Sequence, residues 1–194
     1  MAEFDRRFAV DTSGKVDLRD LHINSTNLNH GVSYESTPPE IFKRIVDSLP
    51  IKHEEFTFVD VGSGKGKVLL MASEFPFKKI IGIEFSAELN RIAQHNVSTY
   101  QNNNQKCNSF ECICVDASEY PIPSDPVVLF FYHPFDDNVM MKVLTNIERS
   151  LKDHPRKMFI LYYNPVCDYL LDRTKLWKKI KATADSSIYM NVDA

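Results

Sequence analysis

The sequence predicts an α/β fold with a mostly parallel sheet, and three observations carry that prediction. From Phe56 onward, short apolar runs alternate with longer amphipathic ones, the rhythm of repeated βα units. One run, Val127–Tyr132, reads Val-Val-Leu-Phe-Phe-Tyr, apolar throughout as a strand covered on both faces must be. A glycine-rich segment at 62–66 separates the first apolar run from the first amphipathic one, the place where open α/β sheets bind ligands.

Taken in order, Thr37-Pro38-Pro39-Glu40 reads as a helix start, with Thr37 as cap, prolines in the first turn and an acid near the positive end. That helix runs through Ile41, Ile45, Val46 and Leu49 and stops at Pro50. Strands follow at Thr57–Val61, Lys79–Glu84, Phe110–Val115, Val127–Tyr132 and Met158–Tyr163. Helices fall at Lys67–Glu74, Ala87–Tyr100 and Asp137–Leu151, with a weaker one near Asp168–Leu171. Asn102-Asn103-Asn104-Gln105 is a loop. Trp177–Ala182 and Ser187–Val192 supply two closing strands around Asp185-Ser186 and an antiparallel finish, although Lys178, Lys179 and Lys181 also suit an exposed helix end. Residues 1–36, polar and Asn-rich, read as an irregular arm or lid, and 37–194 as one domain.

The bulk properties agree with one ordinary globular domain of 194 residues, 43% hydrophobic and 25% charged. The net charge of -3 gives no global footprint for nucleic acid. The basic run Arg173, Lys175, Lys178, Lys179 and Lys181 reads as a solvated face, with contact to an anionic substrate as the other reading. No stretch has the length of a membrane span or the pattern of a secretory leader, so a cytoplasmic protein without membrane contact is expected. The four cysteines, Cys107, Cys112, Cys114 and Cys167, contain no C-x-x-C pair, which argues for reduced thiols and against a metal site.

The glycine segment is Phe58-Val59-Asp60-Val61-Gly62-Ser63-Gly64-Lys65-Gly66. Alternating glycines permit a tight turn and remove the side chains that would keep a ligand from the backbone. A dinucleotide fingerprint needs a glycine where Lys67 stands. A P-loop needs a glycine at Val61 and a hydroxyl at Val68. A purely structural turn is the remaining alternative. Two further acids weigh against it. Glu84 closes the second strand, where a carboxylate can accept from both ribose hydroxyls, with capping of the next helix as the competing role. Asp116 ends the third strand, within reach of an adenine amino group. Three acids at three consecutive strand ends point to a nucleoside cofactor.

This D-x-G-x-G-x-G pattern resembles motif I of the class I S-adenosylmethionine (SAM)-dependent methyltransferases, and the resemblance covers roughly Thr37 to Tyr163. It implies a Rossmann-like seven-stranded sheet and SAM as cofactor. Asp60, Gly62, Ser63, Gly64 and Gly66 would hold the methionine portion, Glu84 with Phe85 the ribose, and Asp116 with Ala117 the adenine. The run Gly62-Ser63-Gly64-Lys65-Gly66-Lys67-Val68-Leu69, with Pro76-Phe77 and Ile81-Gly82-Ile83-Glu84, is similar to small bacterial methyltransferase-like proteins of unassigned substrate. Those proteins carry Asn-Pro-Phe after strand four, where this chain has His133-Pro134-Phe135. Tyr34-Glu35, the glycine loop and Gly82-Ile83-Glu84 are more distantly similar to the non-SET histone-lysine methyltransferases, whose Asn-rich motif is replaced here by Tyr132-His133-Pro134-Phe135.

Amino-methyltransferases hold the target amine with Asn/Asp-Pro-Pro-Tyr/Phe at this position. By that resemblance Tyr132, His133 and Phe135 form the catalytic group: Phe135 supplies the ring and His133 a candidate general base, or else a solvated turn histidine. Tyr34 is expected to close over the cofactor, and Tyr162-Tyr163-Asn164-Pro165 to line the acceptor pocket. The acceptor is then an unidentified nucleophile, an amine on a protein or small molecule. A SAM-binding module without catalysis, and an RNA or DNA methyltransferase, stay open. The oligomeric state is not indicated.

Overall fold

The computed structural model describes residues 2–22, 27 and 30–192; the rest of the N-terminal arm (1, 23–26, 28–29) and residues 193–194 lie outside them. Seven strands form one sheet in the order β3-β2-β1-β4-β5-β7-β6. They are β1 (Thr57–Val61), β2 (Lys79–Glu84), β3 (Phe110–Cys114), β4 (Val127–Tyr132), β5 (Met158–Tyr163), β6 (Trp177–Ala182) and β7 (Ser186–Asn191). The first five run parallel, and β7 is antiparallel to both its neighbours, β5 and β6. The lysine-rich segment 177–182 is therefore an edge strand, with Lys178 and Lys181 in water, and not a helix end. Charged side chains of this kind keep an edge from pairing with another chain.

The helices are α1 (Ala2–Phe8), α2 (Pro39–Asp47), α3 (Lys67–Ala72), α4 (Ala87–Thr99), α5 (Asp137–Asp153) and α6 (Tyr169–Asp172). Because successive strand residues face opposite ways, the sheet has two cores. Val59, Val61, Leu129, Phe131, Ile160 and Tyr162 pack with α5 on one side. Phe58, Val128, Phe130 and Leu161 pack with α2 and α3 on the other. Phe42 of α2 is 1% exposed and meets the rings of Phe58, Phe75 and Phe130. Among the described residues no helix is long and apolar enough to cross a membrane.

Two expectations need correction near the N-terminus. Thr37 does not cap α2; Pro38 holds the cap position and the helix has no side-chain cap. Proline's fixed φ suits the entry to a helix without a hydroxyl to help. The arm is also less irregular than its composition suggests. Phe4 and Phe8 lie one turn apart on α1 and both pack on Tyr100, so tertiary contact supplies the stability that local periodicity does not.

After α1 the segment is tied to the glycine loop. Buried Asn96 of α4 accepts from the Asp11 N–H at 2.9 Å and donates to the carbonyls of Asp11 and Lys65 at 2.7 and 2.8 Å. Lys65 in turn pairs with Asp11 at 2.7 Å. Asn96→Ala leaves those backbone groups unpaired and should lower stability by about 1–3 kcal/mol, read as the midpoint shift in urea unfolding.

Candidate functional site

The chain leaves β1 toward β2 and β3 on one side, while β4 and β5 lie on the other. Ligands bind at such a switch point, outside the carboxyl ends of the strands. Asp60 is the penultimate residue of β1, Glu84 the last of β2, Asp116 follows β3 and His133 follows β4. All four line one pocket.

The glycine loop is shaped by what lies against it. Gly62, Gly64 and Gly66 have φ of 80°, 52° and 81°, the left-handed region that glycine alone enters freely. A Cβ on Gly64 would stand 2.1 Å from the Tyr34 ring, and one on Gly62 would stand 2.7 Å from Pro134 Cβ. Tyr34 is held in place by its hydroxyl, which donates to the Thr12 carbonyl at 2.7 Å.

Glu84 braces this loop. Its carboxylate accepts from the Gly64 N–H and the Ser86 N–H, each at 2.9 Å. The cap of α4 is Ser86, whose hydroxyl accepts from the Leu89 N–H, so Glu84 is not spent on capping. Burial pushes the Glu84 carboxyl up, and the backbone N–H groups of Ser86, Gly64 and Phe85 pull it back. Asp60 has no such relief: burial, then the charge of Glu84, hold its carboxyl well above the usual carboxylate range. This floor favours a cation.

At the β3 end, Asp116 accepts from the Ser118 N–H and hydroxyl and from the Asn27 amide at 2.9 Å. Lys142 of α5 donates to Asn27 Oδ1 at 2.9 Å, which ties the arm across the pocket. The arm also reaches the β4 turn: the Val32 N–H donates to the Pro134 carbonyl, and the Asp136 N–H to the His30 carbonyl.

The β4 turn is unusual in its backbone. His133 sits at φ 37°, and Asn164, across from it after β5, at φ 50°. Non-glycine residues held there are enriched at functional sites, because the surrounding structure must offset the strain. The His133 ring is half-buried, with Nδ1 at 3.5 Å from the Tyr162 hydroxyl. Burial lowers its pKa, so the neutral imidazole dominates at neutral pH. Phe135 is buried edge-on to Phe131. The Tyr132 ring packs against that of Tyr163, tilted by 41° at 4.4 Å between centroids, its hydroxyl 3.4 Å from Glu35 and its pKa pushed up to about 12 by burial, then by Tyr163 and Glu35.

Of the residues singled out in the sequence, Tyr34, Asp60, Gly62, Ser63, Gly64, Glu84, Phe85, Asp116, Ala117, Tyr132, His133 and Phe135 all line this pocket. Gly66 does not. It enters α3 and lets α4 approach, since a Cβ there would meet Ala93 at 3.0 Å. Of Tyr162, Tyr163, Asn164 and Pro165, at the end of β5 and just beyond it, only Asn164 reaches the pocket. Sequence reasoning missed Asn27, Glu35 and Lys67 as lining residues; of these only Lys67, in the alternating Gly-Lys run, carried a local signal.

A family model of the methyltransferase domain matches residues 58–154, half of the chain. The chain belongs to this methyltransferase family. Solved methyltransferase structures share its fold at low identity. A Methanococcus maripaludis protein named as a candidate SAM-dependent methyltransferase is 19% identical, with 80% of this chain and 85% of that one covered and a TM-score of 0.56. The 23S rRNA methyltransferase ErmE is 11% identical over 81% of this chain and 69% of its own, TM-score 0.54. The mitomycin 7-O-methyltransferase MmcR is 14% identical over 79% of this chain and 53% of its own, TM-score 0.55. No curated protein matches the sequence. The chain is thus a class I SAM-dependent methyltransferase, and the methyl acceptors named among its structural neighbours differ from one another.

Proposed function

We propose that this methyltransferase binds SAM in the pocket at the β1–β4 switch point and transfers its methyl group to an amine on a protein or small molecule. The observation that carries the reading is the joining, in one pocket, of buried acids from the glycine-loop side to the strained His133-Pro134-Phe135 turn.

The residues fit the cofactor. The buried Asp60 and Glu84 suit a cationic sulfonium, Glu84 keeps lone pairs for ribose hydroxyls, and Asp116 offers an acceptor for an adenine amino group. When bound, SAM supplies a methyl group already activated on positive sulfur. What remains for the protein is alignment and proton removal. Phe135 walls the acceptor site, and Pro134 keys the β4 turn onto Gly62. With its proton on Nδ1 toward Tyr162, His133 presents Nε2 as the base that takes the proton from the amine nitrogen. The segment 1–36 serves as a lid over the domain formed by 37–194, in a cytoplasmic enzyme.

Calorimetry with SAM, S-adenosylhomocysteine and NAD tests the cofactor. The first two should bind at micromolar concentration and NAD should not; no binding of either sulfur nucleoside overturns the reading. A sharper test uses charge. A cation favours the ionised form of a carboxyl whose pKa is raised, so SAM should gain on neutral S-adenosylhomocysteine as pH rises through the elevated Asp60 pKa. Asp60→Asn should weaken SAM about tenfold more than S-adenosylhomocysteine and flatten that pH dependence.

A further inference from the structure

Tyr162 of β5 is fully buried in the core beside α5, its ring 5.9 Å from that of Phe131. A phenol hydroxyl in such a place needs partners, because an unpaired polar group there is costly. Its partners come from two turns. The Cys167 N–H donates to it at 3.3 Å, and His133 Nδ1 lies 3.5 Å away. His133 lines the pocket, whereas Tyr162 and Cys167 lie behind it. The His133 ring therefore turns Nδ1 toward the core and leaves Nε2 as the nitrogen on the pocket side.

The hydroxyl sits where it can hold both turns. β4 and β5 pair with Phe131 opposite Tyr162, which brings the hydroxyl beside the turn that begins at His133. Cys167 belongs to the turn after β5, where Asn164 sits at φ 50° and its carbonyl accepts from the Val166 N–H at 2.9 Å. His133 itself is at φ 37°, a backbone that persists only where its surroundings fix it. One buried oxygen thus joins the two strained turns that border the pocket.

The direction of each bond follows from the valence of that oxygen. A phenol has one proton to give and two lone pairs to accept with. One lone pair takes the Cys167 N–H. The proton turns to the Cys167 thiol: burial pushes that thiol up and the Tyr162 hydroxyl pulls it back, the effect of a donor on sulfur. The second lone pair is left for His133, and only a protonated Nδ1 can bond to it. A neutral ring with its proton on Nδ1 has none on Nε2.

We infer that Tyr162 is the positioning residue for His133: its hydroxyl accepts the Nδ1 proton and so keeps Nε2 bare toward the pocket. This rests on the reading of His133 as the base. It adds the group that selects the working tautomer, with Cys167 as the group that orients the phenol.

The test reads the tautomer directly, from nitrogen–proton correlation spectra of the His133 ring in the isotopically labelled whole chain, at a pH where the ring is neutral. It needs no methyl acceptor. Wild type should carry the proton on Nδ1. In Tyr162→Phe the ratio of the Nδ1–H to the Nε2–H form should fall by about two- to tenfold, the worth of one net hydrogen bond. Cys167→Ala keeps the backbone N–H but frees the phenol proton to turn to Nδ1, and should move the ratio the same way. Cys167→Ser keeps an acceptor for that proton and should hold the wild-type ratio. S-adenosylhomocysteine affinity should stay at the wild-type value in all three, since none of them alters a pocket-lining residue. Lost stability lowers the folded fraction but not the tautomer ratio within it, so a merely structural role cannot imitate this pattern. A wild-type ring protonated on Nε2 overturns the inference, and needs no variant. So does a wild-type ratio in Tyr162→Phe or, where that variant does not fold, in Cys167→Ala. Full turnover in His133→Asn sinks the base reading itself, and this inference with it, whatever the tautomer.

Discussion

Gly64→Val should abolish measurable S-adenosylhomocysteine binding, a loss of more than about a hundredfold, while the sheet stays folded. Two independent penalties combine. A side chain at φ 52° costs about 1–2 kcal/mol. Its Cβ also falls 2.1 Å from a Tyr34 ring that the Thr12 carbonyl holds in place. Either the ring leaves the pocket or the loop lifts, and a lifted loop breaks the Gly64–Glu84 hydrogen bond that shapes the ribose wall. Calorimetry gives the affinity and circular dichroism the fold. Adding Tyr34→Ala should recover part of the binding, because it removes the collision and leaves only the backbone cost. No recovery would place the whole effect in the loop's backbone, and unchanged affinity in Gly64→Val would remove the glycine loop from the cofactor site.

His133→Asn should lower kcat by about 10²–10⁴-fold, the usual contribution of a positioned base, with S-adenosylhomocysteine affinity within about twofold of wild type. Asparagine is the right replacement because it tolerates positive φ, so the turn at φ 37° survives. It keeps a hydrogen-bonding side chain but cannot take the proton. The pH profile gives a second reading. The base works as neutral imidazole, and burial lowers its pKa from the ordinary 6.5. Activity should therefore rise with pH along a limb centred below 6.5 and level off above it. The variant should lack that limb. Full turnover in His133→Asn would mean that alignment by Pro134 and Phe135 is enough.

Strands β1, β2, β4 and β5 were legible because they are buried on both faces and stand out as largely apolar runs. Five of the seven, including β1, β2 and β4, span the residues the pattern predicts. The other two differ by a residue at a boundary: β3 stops at Cys114, and β7 starts at Ser186 and ends at Asn191. The acids were legible for a similar reason, since a charged residue closing an apolar run is a local signal. What escaped depends on contacts far apart in sequence. The helix at Ala2–Phe8 needs Tyr100, some ninety residues on. Gly66 resembles Gly62 and Gly64 in every local respect, and only the approach of Ala93 assigns it to helix packing. Asn27 enters the pocket from an arm whose path no periodicity reports.

The placement of β7 bears on how the molecule is made. It is the last of these seven strands in chain order, yet it lies inside the sheet between β5 and β6. A nascent chain that has emerged only through β6 has no strand to join that segment to β5, and buried Ile188 and Tyr189 are still missing from the two cores. Completion of the sheet thus waits for residues 186–191, a long-range pairing of the kind that folds slowly. Until then the free side of β5 is an open template, so the interval before β7 docks is when this chain is most exposed to aggregation.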